Sequence, residues 1–417
     1  MFPSRATRIA AACAALFIAL PWALVGQWVH TGGPSTAAIR SLAVSGSNLF
    51  AGTNGDGVFL STNSGAGWIP MNAGMTSDDL QGIPVWALAV DGPELYAGTH
   101  NGMVYYSSNG GTQWTEADSG MNGYPVYTLV TKGTRIFAGC VFSGAWSSTN
   151  KGYTWEAADS GLSSVVYSLV VADSFLFAGT AGSDGGVYRS SDDGAHWTAV
   201  NAGVESPSIY SLAVNGADLY AGANWRGVYR STDRGASWSV SGTGMPANFT
   251  FALVVSGMAL FAAGDSGVYL SRDSGATWKN ANSGLPRTTV YSLAVCNGYL
   301  IAGTAQFGVY RRPLSEMLTG VEERPAGGIP GAFQLDQNYP NPFNPSTTIR
   351  YAIPEKAHVT LAVFSTLGQQ VAVLQNGDME AGYHELSFNG IGLASGVYYY
   401  RLQAGNVVKT MRLLLIR

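Results

Sequence analysis

The chain has 417 residues, with 54 Gly, 12% aromatic residues and only 12% charged ones, about half the charge of an average soluble protein. A formal net charge of -4 with no run of Lys or Arg lacks the electrostatic footprint of a nucleic-acid binder. Turns rich in Gly, Ser, Asn and Thr alternate with short runs of Val, Leu, Tyr and Phe, a strand-and-turn composition.

Residues 1–26 read as a signal peptide, with Arg5 and Arg8 as a short basic region before the apolar run from Ile9 to Val25. An uncleaved anchor is the alternative, because the run is barely long enough to span a bilayer. Cys13 lies in this run. Cys140 and Cys296 occupy different phases of the repeat that follows, so no disulfide between them is expected. The segment Gly26 to Gly33, led by Trp28, reads as a fourth strand without its three companions.

Six octamers come next: STNSGAGW, SSNGGTQW, STNKGYTW, SSDDGAHW, STDRGASW and SRDSGATW. Their tryptophans, at 68, 114, 155, 197, 238 and 278, are spaced by 46, 41, 42, 41 and 40 residues. Each follows an apolar run such as Val166-Tyr-Ser-Leu-Val-Val, an Ala-Gly phrase such as Leu176-Phe-Ala-Gly-Thr, and a run such as Gly186-Val-Tyr-Arg-Ser. A period of about 40–45 residues with several strands per unit predicts a β-propeller with four strands per blade. The Ala-Gly phrase recurs at Gly52, Gly98, Gly139, Gly179, Gly222, Gly264 and Gly303, and the last unit lacks its fourth strand. The expected fold over 27–312 is therefore a seven-bladed β-propeller closed by the N-terminal strand. Closure removes two exposed sheet edges.

Within the octamers, the third residue (Asn63, Asn109, Asn150, Asp192, Asp233 or Asp273) can accept hydrogen bonds from its own turn. The fifth is Gly, which tolerates positive φ. The eighth (Trp68, Trp114, Trp155, Trp197, Trp238 or Trp278) buries a large ring between sheets. Arg234, Lys151 and His196 fill variable slots, as a catalytic group would not. The octamers match Ser-x-Asp-x-Gly-x-x-Trp, and the propeller resembles the Asp-box, or BNR, superfamily of sialidases, xyloglucanase-type glycosidases, sortilin-like receptors and photosystem II assembly factors. That resemblance implies that the boxes are structural and lie on the face away from the functional site.

Function is accordingly expected on the loops between second and third strands and between blades, which vary while their flanks do not. The ligand-binding candidates are Trp225, Arg226, His100, Phe142, Phe307, Asp56, Asp184 and Asp265, with Asp78 and Asp79 on the longest interblade loop. Asp56, Asp184 and Asp265 precede or approach glycines and also read as turn formers. Arg226, Arg287 and Arg40 are not spaced as a sialidase-like triad, and Glu205 is nearly alone on that face. Asp56 and Asp265 leave a paired-acid hydrolase open as the alternative. No metal-ligand cluster, phosphate loop or nucleophile elbow is present, so no metal or cofactor is expected.

Residues 313–332 read as a Pro/Gly/Glu-rich linker. Residues 333–417 then carry short alternating runs that predict a small Ig-like β-sandwich. Tyr339-Pro-Asn-Pro-Phe-Asn-Pro-Ser-Thr-Thr-Ile-Arg-Tyr351, the Leu367-Gly368 turn, Ala381-Gly-Tyr-His384, Leu393-Ala-Ser-Gly-Val-Tyr398 and the apolar last strand closely resemble the type A C-terminal sorting domain of type IX secretion. The resemblance implies export via the periplasm to the outer-membrane surface or the medium, with the type IX machinery as partner. The whole reads as an exported, non-enzymatic, monomeric protein that binds a glycan or protein on its loop face. A sialidase- or xyloglucanase-like glycoside hydrolase is the alternative.

Overall fold

The computed structural model describes residues 27–34, 37–76, 82–162, 165–246, 248–318, 330, 333–336, 338, 341 and 343–415. The expected signal peptide, Asp78 and Asp79 lie outside them. Strand order is simplest in the unit of Val165–Ala172, Phe175–Ala181, Gly186–Ser190 and Thr198–Ala199, which form an antiparallel sheet in that order. Burial peaks on the second strand, where the run from Leu176 to Ala181 is buried, and vanishes on the two exposed residues of the fourth. An apolar second strand with small residues facing both neighbours is what a sheet packed on two sides requires.

The first strands of successive units pack side by side around a common axis, and Ile39–Ser45 touches both Ile83–Asp91 and Val290–Cys296. The arrangement is all-β and propeller-like. Among the described residues of this part are five four-stranded sheets and one eight-stranded sheet. In the latter, Asn54 and Gly55 of one unit pair with Pro84 and Ile83 of the next.

The Ala-Gly phrase has a packing cause. A Cβ on Gly139 would lie 2.6 Å from Val166 Cγ1, and one on Gly303 2.6 Å from Ile39 Cγ2. These glycines let the next first strand approach its neighbour, and they do not turn the chain.

Val29–His30 pairs antiparallel with Val309–Pro313, in the register Val29 with Arg311. Trp28 donates its backbone N–H to Ser283 O at 2.8 Å and its indole N–H to Ala281 O at 2.7 Å. Trp155 makes the same two bonds, to Ser119 O and Ala117 O, both at 2.9 Å. The N-terminal segment thus repeats the link by which a unit holds its predecessor.

One expected boundary shifts. The linker was expected from Pro313, but Leu314–Leu318 is a helical turn whose Leu314 and Met317 are buried in the same apolar cluster as Trp28 and Phe261. Five residues are too few for periodicity to announce a helix. Cys140 and Cys296 are buried and free.

Towards the C-terminus, Gln334–Leu335, Ser346–Ile353 and Gly382–Asn389 form one sheet. Gln370–Met379, Ala357–Ser365, Gly396–Ala404 and Val407–Leu415 form another. Ile349 and Tyr351 of the first share a core with Val359, Leu361, Tyr400 and Leu413 of the second. The Asn-Pro segment is pinned to this core. Phe343 is buried beside Phe388, and the Asn341 side chain accepts the Leu414 N–H at 2.8 Å. Asn338 N–H donates to the Tyr400 hydroxyl at 2.7 Å.

Candidate functional site: an aromatic ring on the propeller axis

Each first strand breaks register with its second strand at one place. The shifts fall between Ile39 and Ser41, Val85 and Ala87, Val126 and Thr128, Val166 and Ser168, Ile209 and Ser211, Thr250 and Ala252, and Val290 and Ser292. The skipped residues are Arg40, Trp86, Tyr127, Tyr167, Tyr210, Phe251 and Tyr291. A bulge re-aims the side chain of its extra residue, and here all seven line one cavity of about 290 Å³.

The side chains form a continuous circle. Ring centroids lie 4.9 Å apart for Trp86 and Tyr127, 4.9 Å for Tyr127 and Tyr167, and 4.7 Å for Tyr167 and Tyr210. Tyr210 and Phe251 are 5.5 Å apart, as are Phe251 and Tyr291. Such spacings are those of favourable tilted and edge-to-face pairs. The remaining gap is filled by Arg40, whose guanidinium carbon lies 4.1 Å from the Tyr291 centroid and 4.5 Å from that of Trp86. Its Nε–H is buried without a hydrogen-bond partner.

The circle sits at the end of the first strands that meets the loops between second and third strands. His100, on one such loop, lies 4.1 Å from the Trp86 ring, and Asn54, at the end of the second strand Asn48–Gly55, accepts the Trp86 indole N–H at 2.7 Å. Burial, followed by the Arg40 charge, pushes the His100 pKa down, which favours neutral imidazole. Burial pushes the Tyr127 hydroxyl up to about 12 and raises Tyr167 and Tyr210 as well, so all three stay protonated at neutral pH.

The sequence-derived candidates distribute around this mouth unevenly. Trp225 packs 5.6 Å from Phe249, which stacks 5.5 Å from Phe251, so it joins the aromatic system while remaining 63% exposed. Phe142 is 70% exposed near Tyr124. Both hold a positive φ, 64° for Trp225 and 63° for Phe142, a costly conformation for bulky residues.

Arg226 is committed to Glu205 at 2.8 Å. Phe307 lines a separate hollow with His30, Gln306 and Tyr310. Asp265 accepts the Thr289 hydroxyl at 3.0 Å beside a hollow that also holds Arg287. Asp56 donates its N–H to the Thr53 hydroxyl, and Asp184 offers its carbonyl to the Tyr188 hydroxyl. Asp56 also accepts from the Asn72 side chain at 2.9 Å and bridges Ile83, so both residues have structural partners. No carboxylate lines the axial cavity among the described residues, and none of their His, Cys, Asp and Glu groups could hold a metal ion.

Sequence reasoning picked out Arg40 only as a doubtful triad member and missed the rest of the circle. A signal was present, since an aromatic residue stands two places before the leucine in six of the seven first strands.

The octamers occupy the opposite end of the sheets. Ser231 Oγ donates to Asp233 Oδ1 at 2.7 Å and accepts the Gly235 N–H at 2.8 Å, while Asp233 accepts the N–H and hydroxyl of Ser237. The variable fourth slot also has positive φ, 59° at Arg234 and 63° at Lys151. From there its side chain reaches an adjacent unit: Lys151 meets Glu94 at 2.5 Å, Asp193 meets Lys132 at 2.6 Å and Arg234 meets Asp173 at 3.3 Å. Trp238 donates its indole N–H to Val200 O at 2.8 Å. Bonds within the turn and links to the adjacent unit thus engage Ser231, Asp233, Arg234, Ser237 and Trp238.

Fold and axial site together define a β-propeller protein with a C-terminal β-domain. Residues 143–298 match the DUF6242 beta propeller domain, and residues 337–417 match the secretion system C-terminal sorting domain. The second match implies export by the type IX system to the cell surface or medium, and interaction with that system.

Among solved structures, YCF48 from Cyanidioschyzon merolae is 13% identical, covering 69% of this chain and 99% of its own, at a TM-score of 0.55. PorZ, a surface component of the type-IX secretion system of Porphyromonas gingivalis, is 17% identical over 92% of this chain and 60% of its own, at 0.53. The GH74 xyloglucanase from Xanthomonas campestris is 16% identical over 78% of this chain and 59% of its own, at 0.55. This chain therefore spans about three fifths of the last two proteins, and the likeness is one of fold. No curated protein sequence matches the chain.

Proposed function

We propose that the chain is an exported, monomeric, non-enzymatic binding protein: a seven-bladed Asp-box β-propeller over 27–312, followed by an Ig-like sorting sandwich over 333–417. A signal peptide takes it into the periplasm, and the sandwich hands it to the type IX machinery. Its ligand, a glycan or a protein, occupies the axial mouth on the loop face. The observation that carries this reading is the circle of six aromatic residues and Arg40 on the propeller axis. A closed barrel of strands could fill its axis with small apolar side chains. Re-aiming seven bulged residues into a cavity is a binding-site design, since ligand pockets combine aromatic walls with a few convergent polar groups.

Trp225 and His100 extend the same surface to the rim. The runner-up, a glycoside hydrolase, finds support in the xyloglucanase-like fold but needs two carboxylates facing one sugar, and the cavity lining supplies none among the described residues. Screening the full chain against glycan and peptide arrays, with Trp86→Ala beside the wild type, tests the proposal. Binding that the substitution abolishes supports it. Binding that survives Trp86→Ala, or turnover of a glycoside library, overturns it.

A further inference from the structure

The axial cavity also carries a ligand chemistry, on the reading that it is a binding site. Arg40 is the decisive residue. Its guanidinium is held between the Trp86 and Tyr291 rings, and its Nε–H is buried without an acceptor. A guanidinium lodged among rings, with its buried Nε–H unpaired, is complementary to an anion. We propose that the cavity binds the carboxylate-bearing sugar of an acidic glycan, a hexuronate, with the carboxylate on Arg40 and the sugar ring against the aromatic circle.

Three features select this class. The first is charge: among the described residues Arg40 is the one cation lining the cavity, and nearby His100 is held towards its neutral form. One guanidinium balances a carboxylate, whereas a phosphate monoester carries about -1.5 to -2 charge at pH 7 and would be left partly uncompensated. The second is the wall chemistry. Tyr127, Tyr167, Tyr210 and Tyr291 bring four phenols together with their ring faces. A pyranose offers the matching surface, apolar C–H faces edged by hydroxyls. A peptide terminus brings backbone amides that an Asn or Gln side chain would pair, and the lining holds neither among the described residues. The third is size, because about 290 Å³ lies at the lower limit of small-molecule pockets. That admits a single sugar residue, with the rest of a chain crossing the rim towards Trp225.

The test uses the full chain and a panel of hexuronate trimers, their methyl esters and neutral hexose trimers, read by quenching of Trp fluorescence and by calorimetry. We expect one or more acidic trimers to bind, the matching ester to bind about tenfold more weakly or worse, and Arg40→Gln to lose that preference. Arg40→Lys should recover part of it. Equal affinity for acid and ester, or an acid preference that survives Arg40→Gln in a folded variant, overturns the inference while leaving a binding site in place. Capture of peptides with no glycan bound overturns the sugar class alone. Binding of neither overturns the underlying reading too. Should Arg40→Gln fail to fold, the acid-to-ester ratio of the wild type decides.

Discussion

The Arg40 guanidinium carbon stands 4.1 Å from the centre of the Tyr291 ring, joining the earliest of the first strands to the latest. At the opposite edge of the same sheet, Trp28 closes the circle a second time through the Ala281 and Ser283 carbonyls. Axis and periphery are thus each sealed by one residue from the start of the described chain.

The outer seal is expected to be strong. Trp28 is 4% exposed, and truncating a buried Trp to Ala costs about 3–5 kcal/mol. Trp28→Ala should lower the melting temperature about as much as Trp155→Ala, which removes the equivalent buried ring and indole bond within the array. Calorimetry of the two variants checks this, and a silent Trp28→Ala would mean that the ring stays shut without its first strand.

Gly303→Ala adds a methyl where Ile39 Cγ2 is already 2.6 Å from the Cβ position. Overpacking of this kind costs about 1–3 kcal/mol. We expect a lower urea midpoint, with partial recovery in the double variant Gly303→Ala, Ser292→Ala, which removes the Ser292 hydroxyl that the new methyl would also meet.

The octamers predict acid sensitivity. Hydrogen bonds from Ser237 and Ser231 hold the Asp233 carboxyl at about 2, below its usual 3.8. A depressed folded-state pKa favours the folded protein above the unfolded pKa, and this support is lost as pH falls through the folded one. Asp233→Asn should therefore narrow its stability gap to the wild type between pH 3.8 and pH 2. Asn is sterically tolerated, because Asn150 accepts the Thr154 N–H from the same place in its own octamer.

His100 predicts a second, milder step. Burial and the Arg40 charge depress its pKa below 6.5, so the neutral form supports the fold above that pH and the support fades as pH falls below it. Thermal melts between pH 7.5 and pH 5 should show a smaller decline for His100→Gln than for the wild type. An identical decline would place the titrating group elsewhere.

The scaffold could be read in advance because its parts recur at a near-constant interval. Six copies of Ser-x-Asp/Asn-x-Gly-x-x-Trp separate positions that must keep one chemistry from those that need not. The site was less legible. Strand alternation assigns the second residue of VYSLVV to an ordinary sheet face, and only the register shift beside Tyr167 turns that residue to the axis. A bulge depends on how two strands pair, so a single strand's sequence does not display it. The loop candidates were chosen for reactivity and position. Trp225 and His100 do touch the aromatic system, while Arg226 is neutralised by Glu205, an ion pair between separate loops. The Leu314–Leu318 turn escaped notice because a Pro- and Gly-rich stretch follows it closely.

The pairing of Val29–His30 with Val309–Pro313 also sets a timetable. During synthesis the first of these segments must wait, unpartnered, while the intervening sheets are made. A chain halted anywhere before Val309 has an open end on each side of its gap, the kind of unpaired edge that recruits other chains. Such a stalled product should self-associate, and the final residues of the last sheet would act as the latch that ends this vulnerability.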